Sequence, residues 1–207
     1  MRLHDRALRE GRRLNEARRE ELLGILEDLV LDHGFTPWTM DDFATQAKCS
    51  KTTLYALNSS KEGLVAALFR RFFRQATAHI ETRITPISTE RARIAEYLSA
   101  VGDEMSRMSS ACYNDMVQLR ATRDIYELNS QAAANRVRGF IDNGVASGEF
   151  RDTNARFVGE AVSLLIDGIM DGILLARTGL TSGEAYNEIG ALVLNALTNR
   201  SPRASRR

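Results

Sequence analysis

Apolar residues recur at intervals of three and four along most of the chain, the spacing of amphipathic helices rather than strands. The first stripe is Leu22, Leu23, Ile25, Leu26, Leu29 and Val30, which predicts a helix over 16–33 ended by Gly34. The next stretch is denser. Thr39 is placed to cap a short helix whose stripe is Met40, Phe43, Ala44 and Ala47, with Asp41 and Asp42 at the positive end of its dipole. Lys48 and Cys49 make a turn, Ser50 caps a second short helix running through Leu57, and Asn58 and Ser59 end it. Ser59 and Glu62 have the S-x-x-E spacing of a capping box. They open a longer helix through Leu64, Val65, Leu68, Phe69, Phe72 and Phe73 to about residue 84, before Pro86. Further helical patterns occupy 88–108, 111–120, 123–144, 153–177 and 182–198, divided by polar or glycine-bearing stretches such as Asn143-Gly144 and Ser147-Gly148. The expected fold class is all-α.

Two short capped helices joined by a tight turn predict a helix-turn-helix. Its second helix must offer small or polar side chains at its N-terminal end, where base edges are met, and an apolar anchor behind. Lys51, Thr52 and Thr53 meet the first demand and Leu54 the second.

The order of these residues resembles the N-terminal domain of TetR-family transcriptional regulators. The matching residues are Gly34-Phe35, Thr39, Phe43-Ala44, Ser50, Thr53-Leu54-Tyr55, and Ser60-Lys61-Glu62 with Leu64. The resemblance covers roughly the first third of the chain motif by motif; the rest agrees in length and helical character. It implies phosphate contacts from Thr39, Thr53, Tyr55 and Lys61, with Lys51 and Thr52 facing the major groove and Lys48 and Ser50 completing the DNA-binding set. The chain departs from the family pattern at Lys48, where a glycine is common, so a positive φ there has to be borne by a side chain. It departs again at Ala56, Leu57 and Asn58, where an aromatic anchor is usual.

The implied organisation is a flexible basic arm (1–15), a helix-turn-helix domain (16–66), a helical effector-binding and dimerisation domain (67–199) and a disordered tail (200–207). The pattern over 153–177 is apolar around more of its circumference than one core uses. Leu165, Gly168, Ile169 and Gly172, with Ile189, Val193, Ala196 and Leu197 of the last helix, are therefore the expected dimer interface, a four-helix arrangement across a two-fold axis. An effector pocket is expected among His79, Met105, Met108, Tyr113, Met116, Arg120, Asp167 and Met170.

Composition adds limits. A net charge of +1 over 207 residues gives no global attraction for nucleic acid, so it must come from patches. Two are visible: Arg2, Arg6, Arg9, Arg12, Arg13, Arg18 and Arg19, then Arg70, Arg71 and Arg74. Cys49 and Cys112 are far apart without a C-x-x-C spacing, and the charged N-terminus lacks the apolar run of a secretory signal, which places the chain in the cytoplasm with reduced thiols. His4, His33 and His79 do not cluster, no glycine-rich phosphate loop is present, and Glu160, Asp167 and Asp171 interrupt the most apolar stretch. The expectation is a protein with no catalytic residues, no metal, no cofactor and no membrane span. Its partners are double-stranded operator DNA, a small-molecule effector and a second copy of itself. The expected function is a repressor released from a palindromic operator by that effector; the alternative is a helical ligand-sensing or dimerisation module without operator binding.

Overall fold

The computed structural model describes residues 2–150 and 154–197, without the side chains of residues 2–15, 155 and 170. Among the described residues there are ten α-helices and no strand: α1 (Arg2–His33), α2 (Met40–Gln46), α3 (Lys51–Leu57), α4 (Lys61–Ile84), α5 (Glu90–Met105), α6 (Ser110–Gln118), α7 (Arg120–Ala146), α8 (Ala155–Met170), α9 (Ile173–Thr178) and α10 (Ser182–Leu197). The all-α expectation holds. The backbone of 2–15, expected as a flexible arm, is the beginning of α1, while its arginine side chains and the tail expected over 200–207 lie outside the described residues.

Two local expectations are corrected. The cap of α4 is Ser60 rather than Ser59: the Ser60 Oγ accepts the Gly63 N–H at 3.1 Å. The single helix expected over 153–177 is two, because Gly172 adopts a left-handed φ of +71° and ends α8 before α9 begins. Gly172, expected at the dimer interface, is a helix breaker.

The chain forms two compact units. One comprises the described chain up to Phe72 with Met108–Ile125; the other comprises Phe73–Arg107 with the described chain from Tyr126 onward. The sequence boundary expected at 66/67 thus corresponds to a division at Phe72/Phe73 inside the unbroken α4, and α6 joins the N-terminal unit. In that unit α1 contributes Leu22, Leu26, Val30 and Leu31 to a core shared with Phe43, Leu64, Leu68, Phe69 and Phe72. Arg71 of α4 reaches Glu27 of α1 at 2.7 Å and Glu20 at 3.3 Å, an ion pair in which the Glu27 side chain is only 4% exposed.

In the second unit α10 packs chiefly on α5 and also on α8. A Cβ at Gly190 would lie 3.1 Å from the Leu98 Cβ, so the missing side chain lets α10 approach α5 closely. Ile189, Val193 and Leu197 of α10 are buried, as are Ile94, Tyr97 and Leu98 of α5 and Val162, Ile166 and Ile169 of α8. The buried hydroxyls of Tyr126 and Tyr186 satisfy each other at 3.1 Å.

Candidate nucleic-acid interface

The two short helices are held in place from their N-termini. Thr39 and Asp42 form a reciprocal box: the Asp42 N–H donates to the Thr39 Oγ1 at 3.2 Å, and Asp42 Oδ2 accepts the Thr39 N–H at 2.8 Å and its hydroxyl at 2.6 Å. These bonds, the side-chain one foremost, hold the Asp42 carboxyl below its ordinary pKa. Ser50 caps α3 by accepting the Thr53 N–H at 3.0 Å, and its hydroxyl shares a second bond of 2.7 Å with that of Thr53. With both ends of the turn specified, seven-residue helices that are too short to persist alone become fixed.

Only Leu54 of α3 is buried. Lys51, Thr52, Thr53 and Tyr55 are exposed, as are Thr39, Lys48 and Ser50, and Lys61 is half-buried. The expected DNA-binding set is therefore on the surface of one unit, with the first turn of α3 unobstructed by packing. Lys48 carries a φ of +49°, the positive value the turn requires. A side chain in that region costs about 1–2 kcal/mol relative to ordinary backbone.

Neighbours missed from the sequence qualify two of these residues. Lys51 is ion-paired with Asp41 of α2, and this hydrogen bond raises the lysine pKa. Both side chains are more than half exposed, so the pair orients Lys51 without neutralising it permanently. Lys61 donates from Nζ to the Thr36 carbonyl at 2.8 Å. The Phe35 and Thr36 N–H groups in turn donate to Asp115 Oδ2 of α6 at 2.6 and 2.7 Å. Asp41 stands ten residues from Lys51, and Asp115 about eighty from the turn it holds; neither has a local sequence signal.

A groove of about 790 Å³ is lined by Leu22 and Ile25 of α1, Ala56 and Leu57 of α3, and the polar residues Arg18, Arg19 and Lys48 among others. Asn58 is absorbed: a Cβ at Gly63 would fall 2.2 Å from its Oδ1, so the two residues fit as a pair. Burial raises the Cys49 thiol pKa. Burial pushes the Cys112 thiol up to about 12. Among the described residues no cluster of His, Cys, Asp or Glu is suited to a metal ion, and no described helix is long and apolar enough to cross a membrane.

The residues expected to line an effector pocket divide between the units, and most are packed core or open surface. Met108, Tyr113 and Met116 are buried in the first unit, where the Arg120 side chain is 94% exposed. Met105 is buried in the second unit; His79 and Asp167 are exposed there, with His79 Nδ1 3.2 Å from a Glu104 oxygen, and the Met170 side chain lies outside the described residues. The second unit does contain a cleft of about 290 Å³, lined by Glu81, Thr85, Arg93, Arg136 and Phe140 among others. None of these was anticipated, because their helical spacing does not show which neighbour they face.

The expected dimer-interface residues are also redistributed. Ile169, Ile189, Val193 and Leu197 are buried within their own chain. Leu165, Gly168 and Gly172 are half-buried and Ala196 is exposed. The large apolar side chains left on the surface of these helices are Phe157 (71%), Leu164 (70%), Ile173 (52%) and Leu192 (59%). The face of α10 that carries Ile189 and Val193 is the one that packs on α5 and α8 of its own chain.

No protein-family profile matches the chain. It is 27% identical over 194 residues to YdeS, an uncharacterised HTH-type transcriptional regulator of Bacillus subtilis (strain 168), spanning 90% of this chain and 91% of the relative. Among solved structures it is similar to a transcriptional regulator from Saccharomonospora viridis in complex with choline, with a TM-score of 0.70 and 20% identity over 90% of this chain and 100% of that one. It is also similar to a TetR transcription regulator from Haloarcula marismortui ATCC 43049, with a TM-score of 0.68 and 18% identity over 86% and 96% of the two chains. The capped helix pair, the helical second unit and these full-length likenesses agree: the chain has the fold of the TetR-family transcriptional regulators, the family that its N-terminal motifs resemble.

Proposed function

We propose that the chain is a sequence-specific DNA-binding transcriptional regulator. It acts as a homodimer on a palindromic operator, as a repressor that a small molecule releases. The observation that carries the reading is the first turn of α3: Lys51, Thr52 and Thr53 are exposed while Leu54 behind them is fully buried. That is the disposition a helix needs to enter a major groove by its N-terminal end while its back rests on the preceding helix.

Dimerisation is supported by Phe157, Leu164 and Leu192, bulky apolar groups on two helices whose other faces are already filled. An effector is supported more weakly, by the cleft in the second unit, whose volume of about 290 Å³ is at the lower end for ligand sites. Choline occupies the similar Saccharomonospora viridis regulator, and the reading here is of an unidentified small molecule. Release needs no chemistry: a ligand favouring one arrangement of the second unit would alter the spacing of two recognition helices, and half-sites tolerate little change. Protonated, unpaired thiols fit action in the cytoplasm.

The test is fluorescence anisotropy of the purified protein with DNA flanking its own coding sequence, against a scrambled duplex, at two salt concentrations. Tight, salt-sensitive binding that favours the native duplex is expected. Equal, salt-insensitive binding to both would support the sensing module without operator binding.

A further inference from the structure

Asp115 is on α6, outside the helix-turn-helix, yet one of its oxygens accepts two backbone N–H groups of the turn before α2, Phe35 at 2.6 Å and Thr36 at 2.7 Å. Bonds to an ionised acceptor are about twice as strong as neutral ones, and two converging on one oxygen fix the orientation of the peptide planes that supply them. The same turn is shaped to receive α6. Gly34 has a φ of +74°, and a Cβ there would stand 2.6 Å from Asp115 Oδ2 and 3.1 Å from the Ala111 backbone. Just before this turn, the Ser109 N–H donates to the Leu31 carbonyl at 2.9 Å, so α6 is tied to the end of α1 at two points.

The consequence falls on Lys61. With the Phe35–Thr36 peptide held by its N–H, the next peptide, Thr36–Pro37, whose ψ the following proline restricts, presents its carbonyl to the Lys61 Nζ at 2.8 Å. A lysine ammonium has three donors, so this bond spends one and leaves two for a phosphate, while removing the freedom of a long, flexible side chain. We propose that Asp115 is a positioning residue for DNA binding: acting through the Gly34–Thr36 turn, it sets Lys61 against the phosphate backbone. The proposal rests on the DNA-binding reading above.

The experiment measures binding of the full chain to a labelled mixed-sequence duplex across a salt series, well below the melting temperature, for wild type, Asp115→Asn, Lys61→Ala and the double variant. Loss of one phosphate contact flattens the slope of log K against log salt by about 0.9. Lys61→Ala and Asp115→Asn are each expected to show that loss, and the double variant no more than either alone. A slope for Asp115→Asn equal to the wild type, or losses that add in the double variant, would overturn the proposal while leaving the DNA-binding reading intact. Asp115→Glu, which keeps the charge but displaces the carboxylate, provides a second variant and is expected to lose the same slope. Amide hydrogen exchange without DNA gives a separate readout: Phe35 and Thr36 should exchange faster in Asp115→Asn, and unchanged exchange rejects the clamp. If the wild type shows no salt-dependent binding to any duplex, the functional reading falls and the proposal falls with it.

Discussion

The two units of this chain are stabilised in different ways. In the N-terminal unit, polar side chains seize backbone groups: Thr39 and Asp42 close the start of α2, Ser50 the start of α3, Ser60 the start of α4, and Asp115 the turn before α2. In the C-terminal unit side chains also cap helices, Thr89 at α5, Asn154 at α8 and Thr181 with Glu184 at α10, but these are sixteen-residue helices whose apolar faces lay α10 along α5 and α8. Hydrogen-bonded caps are directional and set exact starting points, so they suit a surface that must meet DNA edges in register. Apolar packing is less directional and tolerates repacking, which under the proposed function suits a unit that responds to a ligand.

The contrast is broken most forcefully where a polar contact lies deep in the first unit. Removing one partner of a buried ion pair costs about 3–5 kcal/mol, because the other charge is left uncompensated. Glu27→Ala is therefore expected to lower stability in chemical denaturation by less than that amount, because the 14%-exposed Arg71 side chain keeps Glu20 at 3.3 Å. The buried Leu54 offers an apolar control, with a loss of about 2–5 kcal/mol expected for Leu54→Ala.

In the second unit, burial and exposure on one helix separate folding from assembly. Ile189→Ala removes a side chain from the core and is expected to cost about 2–5 kcal/mol. Leu192→Asp, three residues away and 59% exposed, is expected to change monomer stability by less than about 0.5 kcal/mol. Analytical ultracentrifugation should nevertheless show it shifting dimer towards monomer. A dimer unaffected by Leu192→Asp would mean that Phe157, Leu164 and Leu192 do not form the contact.

Smaller effects probe the caps. Thr39→Ala is expected to cost about 0.5–2 kcal/mol, the usual range for losing an N-cap. Acid should act on the same box. The Asp42 pKa lies below its ordinary 3.8 in the folded protein, so its contribution is present above that value and is lost as pH falls through the folded pKa. Glu184, held below 4.5 by the Thr181 N–H and hydroxyl at the start of α10, gives the second unit the same sign of response. Thermal melts between pH 5 and pH 2 should lose less stability in Asp42→Asn than in wild type. The smallest change expected is a gain: Lys48→Gly relieves the left-handed φ of +49°, offset by the greater flexibility of glycine, for a net of at most about 1 kcal/mol.

These differences also explain what could be read from the sequence. Caps are local, so Thr39, Ser50 and the positive φ at Lys48 were legible, and with them the helix-turn-helix. Ser59 and Ser60 are adjacent hydroxyls competing for one role, and the structure chose the second. Which face of an amphipathic helix meets its own chain is a non-local question, and Ile189, Val193 and Leu197, expected at a dimer interface, are buried in their own chain. Met108, Tyr113 and Met116, expected as pocket lining, are buried, and a methionine or tyrosine at helical spacing looks alike in a cavity wall and in a filled core. Asp115 illustrates the limit most clearly, because its partners at Phe35 and Thr36 lie in a turn far upstream.

The central claim is that the exposed first turn of α3 reads base edges while the residues around it hold the backbone. The most direct test is Lys51→Ala, measured by anisotropy on the preferred duplex and on a scrambled one. Losing a base contact should weaken binding to the preferred duplex by about 1–3 kcal/mol and leave the scrambled duplex much less affected, so that discrimination collapses. Equal weakening on both duplexes, or none on either, would contradict the assignment of α3 as the reading helix.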